Sequence, residues 1–534
     1  MDRMLMRLLL VVALAVAAAA AEQRATYIVH MAKSAMPAEY ADHGEWYGAS
    51  LRSVSTGGAP AAKMLYSYDT VLHGFSAGNA GPGSATLSNV APWITTVGAG
   101  TLDRDFPAYV QLGNGKNYTG VSLYAGKAPP STPTPLVYAG NASNSTSGNL
   151  CMPGTLSPEK VQGKIVVCDR GISARVQKGF VVRDAGGAGM VLANTAANGQ
   201  ELVADAHLLP ATGVGEKEGA AIKSYIASES KPTATIVVAG TQVDVRPSPL
   251  VAAFSSRGPN MITPEILKPD IIGPGVNILA AWTGKAGPTG LAADTRRVNF
   301  NIISGTSMSC PHVSGLAALL RSAHPEWSPA AVRSALMTTA YSTYTGGAGA
   351  PILDAATGAA ATPFDYGAGH VDPTRAVEPG LVYDLGTSDY VDFLCALKYT
   401  PNMIAALARN KTYGCAANKT YAVANLNYPS FSVAYSTANG EAGDSGATTV
   451  THTRTLTNVG AAGTYKVDAS VSMSGVTVDV KPAELEFTAA GEKKSYTVSF
   501  TAAKSQPSGT AGFGRLVWSD GKHTVASPIA ITWT

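Results

Sequence analysis

Charge is scarce in this chain. Asp, Glu, Lys and Arg make up 14% of its 534 residues, against about a quarter in an ordinary soluble domain. The formal net charge is only +3, with no dense run of Lys or Arg, which argues against nucleic acid as the main partner. Long apolar runs are equally rare: after Leu8–Ala21 no stretch approaches the roughly 20 residues needed to span a bilayer, so no membrane anchor is expected. Cysteines number five. What is plentiful is apolar material, 46% of the chain, together with 56 glycines and 32 prolines. That excludes wholesale disorder and, at roughly 150 residues per domain, leaves room for three or four domains. The combination fits a secreted α/β or β-rich protein.

Arg3 and Arg7 precede the apolar run that ends in small residues at Ala21, and Glu22 follows. Residues 1–21 therefore read as a secretory signal peptide. In an oxidising compartment Cys151 pairs naturally with Cys168 and Cys395 with Cys415, leaving Cys310 as the odd thiol. Each pair closes a loop of about 20 residues, worth about 3 kcal/mol by loop entropy. Five Asn-x-Ser/Thr sequons, at Asn117, Asn141, Asn144, Asn410 and Asn418, fall in polar loop-like stretches and suit a glycosylated product.

Thr26–Met31 and Met64–Tyr68 read as strands flanking a helix-like stretch with Trp46, Tyr47 and Leu51. Texture changes abruptly at Gly74–Ala77, and the apolar strand Trp93–Ala99 follows. A Pro/Ser/Thr/Asn-rich stretch near 131–148 marks a boundary, after which strands at Gly163–Cys168 and Met190–Asn194 alternate with helical patterns to about Ala239. The glycine-rich Ala185–Gly189 precedes a strand, so it is a tight turn and not a phosphate loop. Short continuous apolar runs at Leu250–Phe254, Ile271–Ile272 and Ile278–Trp282 suit a buried parallel sheet. Two helices follow. One runs from about Thr306 to Arg321, and the next starts at the N-cap Ser328 with Pro329 in its first turn. Residues 426–534 alternate apolar and polar with frequent turn signals, as in a β-sandwich.

The string Asn301-Ile-Ile-Ser-Gly-Thr-Ser-Met-Ser-Cys-Pro-His-Val-Ser-Gly315 sets a serine at the first turn of a helix whose body (Val313, Leu316, Leu319, Leu320) is apolar enough to be buried. Free N–H groups and the positive dipole end lie beside that serine. On these grounds alone an N-cap on a buried helix is the better reading. The string, however, resembles the active-serine box of subtilisin-like serine proteases, which implies Ser307 as nucleophile. Ser76-Ala-Gly-Asn-Ala-Gly-Pro82 resembles the same family's oxyanion box and implies Asn79 as the side-chain donor. Ala91–Gly98, Phe254-Ser-Ser-Arg-Gly-Pro259 and Leu267-Lys-Pro-Asp-Ile271 also resemble the plant, cucumisin-like branch. The resemblance implies an α/β fold: a subtilisin-like parallel-sheet core with an inserted protease-associated domain and a C-terminal fibronectin type III-like β-sandwich. It implies a truncated inhibitory propeptide at 22–77, a partial catalytic domain at 78–130 and 240–385, the insert at 131–239, a connector at 386–425 and the sandwich at 426–534. Polypeptides are the implied partners, with no cofactor and no metal.

A serine nucleophile needs a neighbouring base that a third group orients, and subtilases supply these in the order Asp, His, Ser. The family's Asp-[Ser/Thr]-Gly strand and His-Gly-Thr-His helix should lie between the propeptide and Asn79. Here those regions join at Ser76-Ala77, and neither motif occurs. Asp69-Thr-Val and His73-Gly imitate them but are only four residues apart; Asp42-His43-Gly44 is followed by Glu45-Trp46. His312, five residues after Ser307, is about 140° around the helix and points elsewhere, whereas Cys310 at i+3 is expected to pack as a small buried thiol. His207, His324, His370, His452 and His523 show no local partner that suggests a base. The resulting expectation is a secreted serine endopeptidase by lineage, weak or inactive as it stands. The alternatives are a non-catalytic binding glycoprotein and an unstable product of an internal deletion.

Overall fold

The computed structural model describes residues 79–127, 132–344, 349–408, 410–437 and 446–534, with the backbone of three short strands, Ile28–His30, Tyr66–Tyr68 and Gly74–Ser76. Gly74–Ser76 pairs antiparallel with both of the others. The helix expected around Trp46, and Asp42, His43, Asp69 and His73, lie outside the described residues.

The central sheet orders its strands Ile271–Pro274, Val97–Gly100, Leu250–Val251 and Leu353–Asp354. Ile271 lies opposite Val97 in the parallel pair. These runs carry no alternation because both faces are covered: Ile271, Ile272 and Gly273 are all buried. The helix Thr306–Ala323 (the serine helix) packs Val313 and Leu320 against Ile271, Trp327 and the next helix, Pro329–Thr338. That second helix is capped by Ser328, whose Oγ accepts the Ala331 N–H at 3.0 Å, and every residue from Ala330 to Thr338 is buried.

The insert is a closed seven-stranded barrel. Thr134–Tyr138, Ile165–Asp169, Gly189–Ala193 and Ala211–Val214 run parallel in that order. Pro107–Leu112, Asn117–Val121 and Thr233–Val238 complete the barrel through antiparallel pairs. This corrects the expected boundary: residues 107–121, assigned to the catalytic segment, belong to the barrel. Their main partner, Thr233–Val238, lies more than 100 residues downstream, so the polar stretch near 131 is a loop within the unit and not its edge. The barrel carries the Cys151–Cys168 disulfide; the second, Cys395–Cys415, ties the connector.

The C-terminal region is a sandwich of a four-stranded and a five-stranded sheet. Leu381–Tyr383 pairs with Thr448–Asn458 and so joins the sandwich well before residue 426. Tyr428 Oη donates to Asp270 Oδ1 at 2.6 Å, and Arg515 Nη1 donates to Ser342 Oγ at 2.8 Å, holding the sandwich to the core.

The serine helix departs from expectation on one face. Ser307, Cys310, Pro311, His312, Ser314, Gly315, Ala318 and Leu319 are exposed, Leu319 by 68%. Cys310 is therefore not a buried thiol, nor is Leu319 a core residue, because nothing among the described residues packs against that side. On the hairpin that precedes the helix, Leu279 and Phe300 are also exposed.

Candidate functional site

The chain reaches the serine through the strand Phe300–Ile303. Two backbone contacts then seat the helix start on the sheet: Gly305 N–H donates to Gly275 O at 2.8 Å, and Asn277 N–H donates to Ser304 Oγ at 2.8 Å. Gly275 has to be glycine, since a Cβ there would lie 2.1 Å from Ser309 Oγ and 2.7 Å from Ala99 Cβ. Thr306 opens the helix and Ser307 follows in its first turn, where backbone N–H groups lack helical acceptors.

Asn79 arrives from a turn docked on residues 253–258. Ala80 N–H donates to Ser256 Oγ (3.2 Å) and Gly81 N–H to Phe254 O (3.1 Å). Gly81 sits so close that a Cβ would lie 2.1 Å from Ser255 O. Arg257, buried beneath, donates to Ser255 O and Ala252 O and pairs with Asp354 and Asp365 at 2.9 and 2.8 Å.

The side chain of Asn79 meets the helix start. Its Oδ1 accepts the Thr306 backbone N–H at 3.3 Å and also the Thr306 hydroxyl. A backbone donor cannot exchange roles, so it fixes Oδ1 as the inward atom and leaves the NH2 as the outward donor. A methyl group built on Gly305 would stand 3.7 Å from both Asn79 Nδ2 and Ser307 N. The Asn79 amide nitrogen and the Ser307 backbone nitrogen thus both lie within 3.7 Å of one point at the helix start, with Met308 Sδ at 3.5 Å, and Ser307 itself is exposed.

Among the described residues no base is brought to Ser307. His312 is exposed and its Nδ1 contacts Met308 O at 2.7 Å. His370 is buried; its Nδ1 meets the Tyr341 hydroxyl at 2.9 Å, and desolvation pushes its pKa down to about 4. His207 and His452 are buried in the barrel and the sandwich, and burial lowers both. His324 stacks on Trp327 and lies 3.6 Å from Glu326. His523 corrects an expectation: it does have a local partner, Asp520, at 2.8 Å, but that pair sits in the sandwich. The spacing Asp520–His523 was visible in the sequence; the turn that closes it was not.

The five sequon asparagines are all exposed. Asn410 Oδ1 accepts both the backbone N–H and the hydroxyl of Thr412 at 2.9 Å. Among the described residues no group of three or more His, Cys, Asp or Glu could hold a metal ion, and no helix is long and apolar enough to cross a membrane.

One residue near the site carried no sequence signal. Glu201, in the loop after the barrel strand Gly189–Ala193, is buried, and its Oε1 accepts the Ala253 N–H at 2.6 Å. Its own sequence context, an apolar Glu-Leu-Val-Ala, belongs to no motif.

A profile of the subtilase family matches residues 44–369, which takes in residues assigned above to the propeptide, and a fibronectin type-III domain profile matches 425–531. Subtilisin-like protease SBT1.7 of Arabidopsis thaliana is 66% identical over 464 residues, which cover 87% of this chain and 60% of that protein. Subtilisin-like protease SBT1.5 of the same plant is 51% identical over 469 residues, covering 86% of this chain and 60% of the relative. The chain thus spans about 60% of the length of the curated relatives it matches. With more than half its residues matched by the family profile, and with identity this high to plant members, the chain belongs to the subtilase family of serine-type endopeptidases, in its plant branch.

Proposed function

We propose that this chain is a secreted glycoprotein of subtilase lineage that presents an acyl-transfer site, Ser307 with Asn79, but hydrolyses peptide bonds weakly or not at all. One observation carries the reading: the Asn79 amide nitrogen and the Ser307 backbone nitrogen both lie within 3.7 Å of one point at the helix start, while the family's Asp and His motifs do not occur in the sequence. A substrate carbonyl placed between them would receive two hydrogen bonds as its oxygen becomes negative. Attack by Ser307 Oγ also requires a group to take the hydroxyl proton, and no described residue fills that role. In subtilisin itself, loss of the serine or the histidine costs about a million-fold in turnover, and about a thousand-fold or more over water remains from oxyanion hole and binding.

In this reading residues 1–21 direct secretion, residues 22–77 are a shortened inhibitory propeptide, and the barrel is the protease-associated domain. The disulfide cysteines are Cys151, Cys168, Cys395 and Cys415, and glycans occupy exposed sequons among Asn117, Asn141, Asn144, Asn410 and Asn418. Its partners are polypeptides.

A second reading is a non-catalytic binding glycoprotein. It is supported by the barrel and the sandwich each having a closed core of its own. A third, an unstable deletion product, is supported by the uncovered face of the serine helix. Purified secreted chain, incubated with a quenched-fluorescence peptide library, should turn over no faster than its Ser307→Ala variant. Ser307-dependent turnover would overturn the reading. In the inactive case a monomer with one cooperative melt favours the binding protein, and aggregation favours the broken product.

A further inference from the structure

A loop of the barrel touches the core at Ala252–Ser256, the turn on which the Asn79 segment is docked. Ala252–Ser256 is gripped from several sides. Ala252 N–H donates to Ala99 O at 2.9 Å, Ser255 Oγ accepts the Ala99 N–H at 3.0 Å, and Arg257 holds two of its carbonyls. The remaining grip comes from the insert: Glu201 Oε1 on the Ala253 N–H at 2.6 Å, with Glu201 only 5% exposed. Opposite that contact, Phe254 O and Ser256 Oγ hold Gly81 and Ala80, next to Asn79. Glu201 is itself placed by Asn194, whose Nδ2 donates to its backbone oxygen at 2.6 Å and whose Oδ1 accepts from Arg170 at 3.2 Å.

We propose that Glu201 is a positioning residue for Asn79: the inserted barrel, through this one carboxyl group, fixes the Ala252–Ser256 turn and with it the side-chain donor of the oxyanion site. The proposal rests on the reading of Asn79 given above and adds the insert to that site.

A titration follows from the burial. Desolvation raises the Glu201 carboxyl from 4.5 to about 7, against the lowering effects of the Ala253 N–H, Arg170, Arg175 and Arg257. Its surroundings are charged on every side. Arg170 follows a barrel strand, and Arg175 on a barrel helix is doubly bonded to Asp205 at 2.6 and 3.0 Å. Arg257 rises from the core with Asp354 and Asp365. His207 and Asp205 share the loop of Glu201, and Arg296, paired with Asp294, reaches Ala206 O at 2.7 Å. A carboxyl raised on folding contributes stability that is complete below its unfolded value and lost as pH rises through its folded value. The Ala253 N–H itself favours the ionised carboxylate, so the pH dependence comes from desolvation: opening of the contact, which returns Glu201 to water, is least favourable in acid and becomes easier as pH rises through about 7.

Hydrogen exchange on the intact chain tests this, with protection factors corrected for intrinsic rates at about pH 5.5 and about pH 8. In the wild type, protection across residues 79–86 should fall by about tenfold between the two, while the sandwich strand Thr448–Asn458 stays unchanged. Glu201→Gln, which keeps an acceptor but no charge, should hold 79–86 protected at both values. Glu201→Ala should lose that protection at both. Equal protection of 79–86 in all three proteins, or a loss in Glu201→Ala spread evenly over the sandwich as well, would overturn the proposal. Whether Ser307 reacts is read separately, by active-serine labelling, so a failure of the site reading and a failure of this coupling give different results.

Discussion

Gly81 shows how tightly a single residue fixes the oxyanion donor. A Cβ there would meet the backbone oxygens of Ser255 and Ala253 at 2.1 and 2.4 Å, atoms that cannot rotate away. Gly81→Ala should therefore cost about 1–3 kcal/mol in denaturant unfolding, as overpacking does, and should detach the Asn79 turn. Gly83→Ala, whose new Cβ would meet only Thr86 Cγ2 at an ordinary 3.7 Å, serves as the matched control and should be close to neutral. Equal losses in the two variants would contradict the packing described. Cys310 permits a simpler check. It is exposed while the other four cysteines are paired, so the native chain should take up one maleimide and Cys310→Ser none. No modification without denaturant would mean that the serine-helix face is covered. The expectation of a buried thiol rested on spacing within the helix. Spacing tells which residues share a face, but it does not tell whether a neighbour exists to cover that face.

Elements were legible wherever their signals are local. Ser328-Pro329 starts its helix and Pro325 stops the preceding one, and both act within a turn. The apolar runs Trp93–Ala99 and Ile271–Ile272 each hold a strand of the buried sheet, but Ile278–Trp282, expected there too, forms an antiparallel pair outside it with Leu279 exposed, because an apolar run does not tell which strand will pair with it. The barrel's edge was not legible, because Pro107–Leu112 finds Thr233–Val238 only through the fold. Nor was the platform under Asn79, although the string Phe254–Pro259 stood out; the pairing of Arg257 with Asp354 and Asp365 spans about 100 residues. That pairing makes a prediction: Arg257→Met strands two carboxylates and should destabilise the core by about 3–5 kcal/mol, lowering its melting temperature. A loss below about 1 kcal/mol would contradict the buried-pair reading. Histidines act on the same scale. His370 in the core is held near 4 against 6.5 unfolded. A lowered folded value means that the unfolded state binds more protons, so stability from a neutral His370 is complete above about pH 6.5 and lost down to about pH 4. His370→Gln should flatten the acid side of the core's stability curve, whereas an unchanged slope would show that other groups govern it.

For the molecule as a whole, the decisive feature is the mismatch between what is intact and what is short. Barrel and sandwich each close a core of their own, yet nothing among the described residues covers one face of the helix that carries Ser307, and the chain spans about 60% of its relatives. The sandwich is joined to the core through Lys268, Asp270 and Tyr428: the Asp270 carboxylate accepts from Lys268 Nζ and Tyr428 Oη, both at 2.6 Å. Tyr428→Phe should cost about 1–3 kcal/mol and lower the core and sandwich transitions together; two separated melts in the wild type would refute that coupling. The central claim, however, concerns chemistry. The most direct measurement is the rate at which a fluorophosphonate labels the purified chain beside its Ser307→Ala variant. Labelling should be no faster than that of the variant, because no base among the described residues reaches Ser307. Rapid labelling abolished by Ser307→Ala would contradict this, and would show that a base reaches the serine after all.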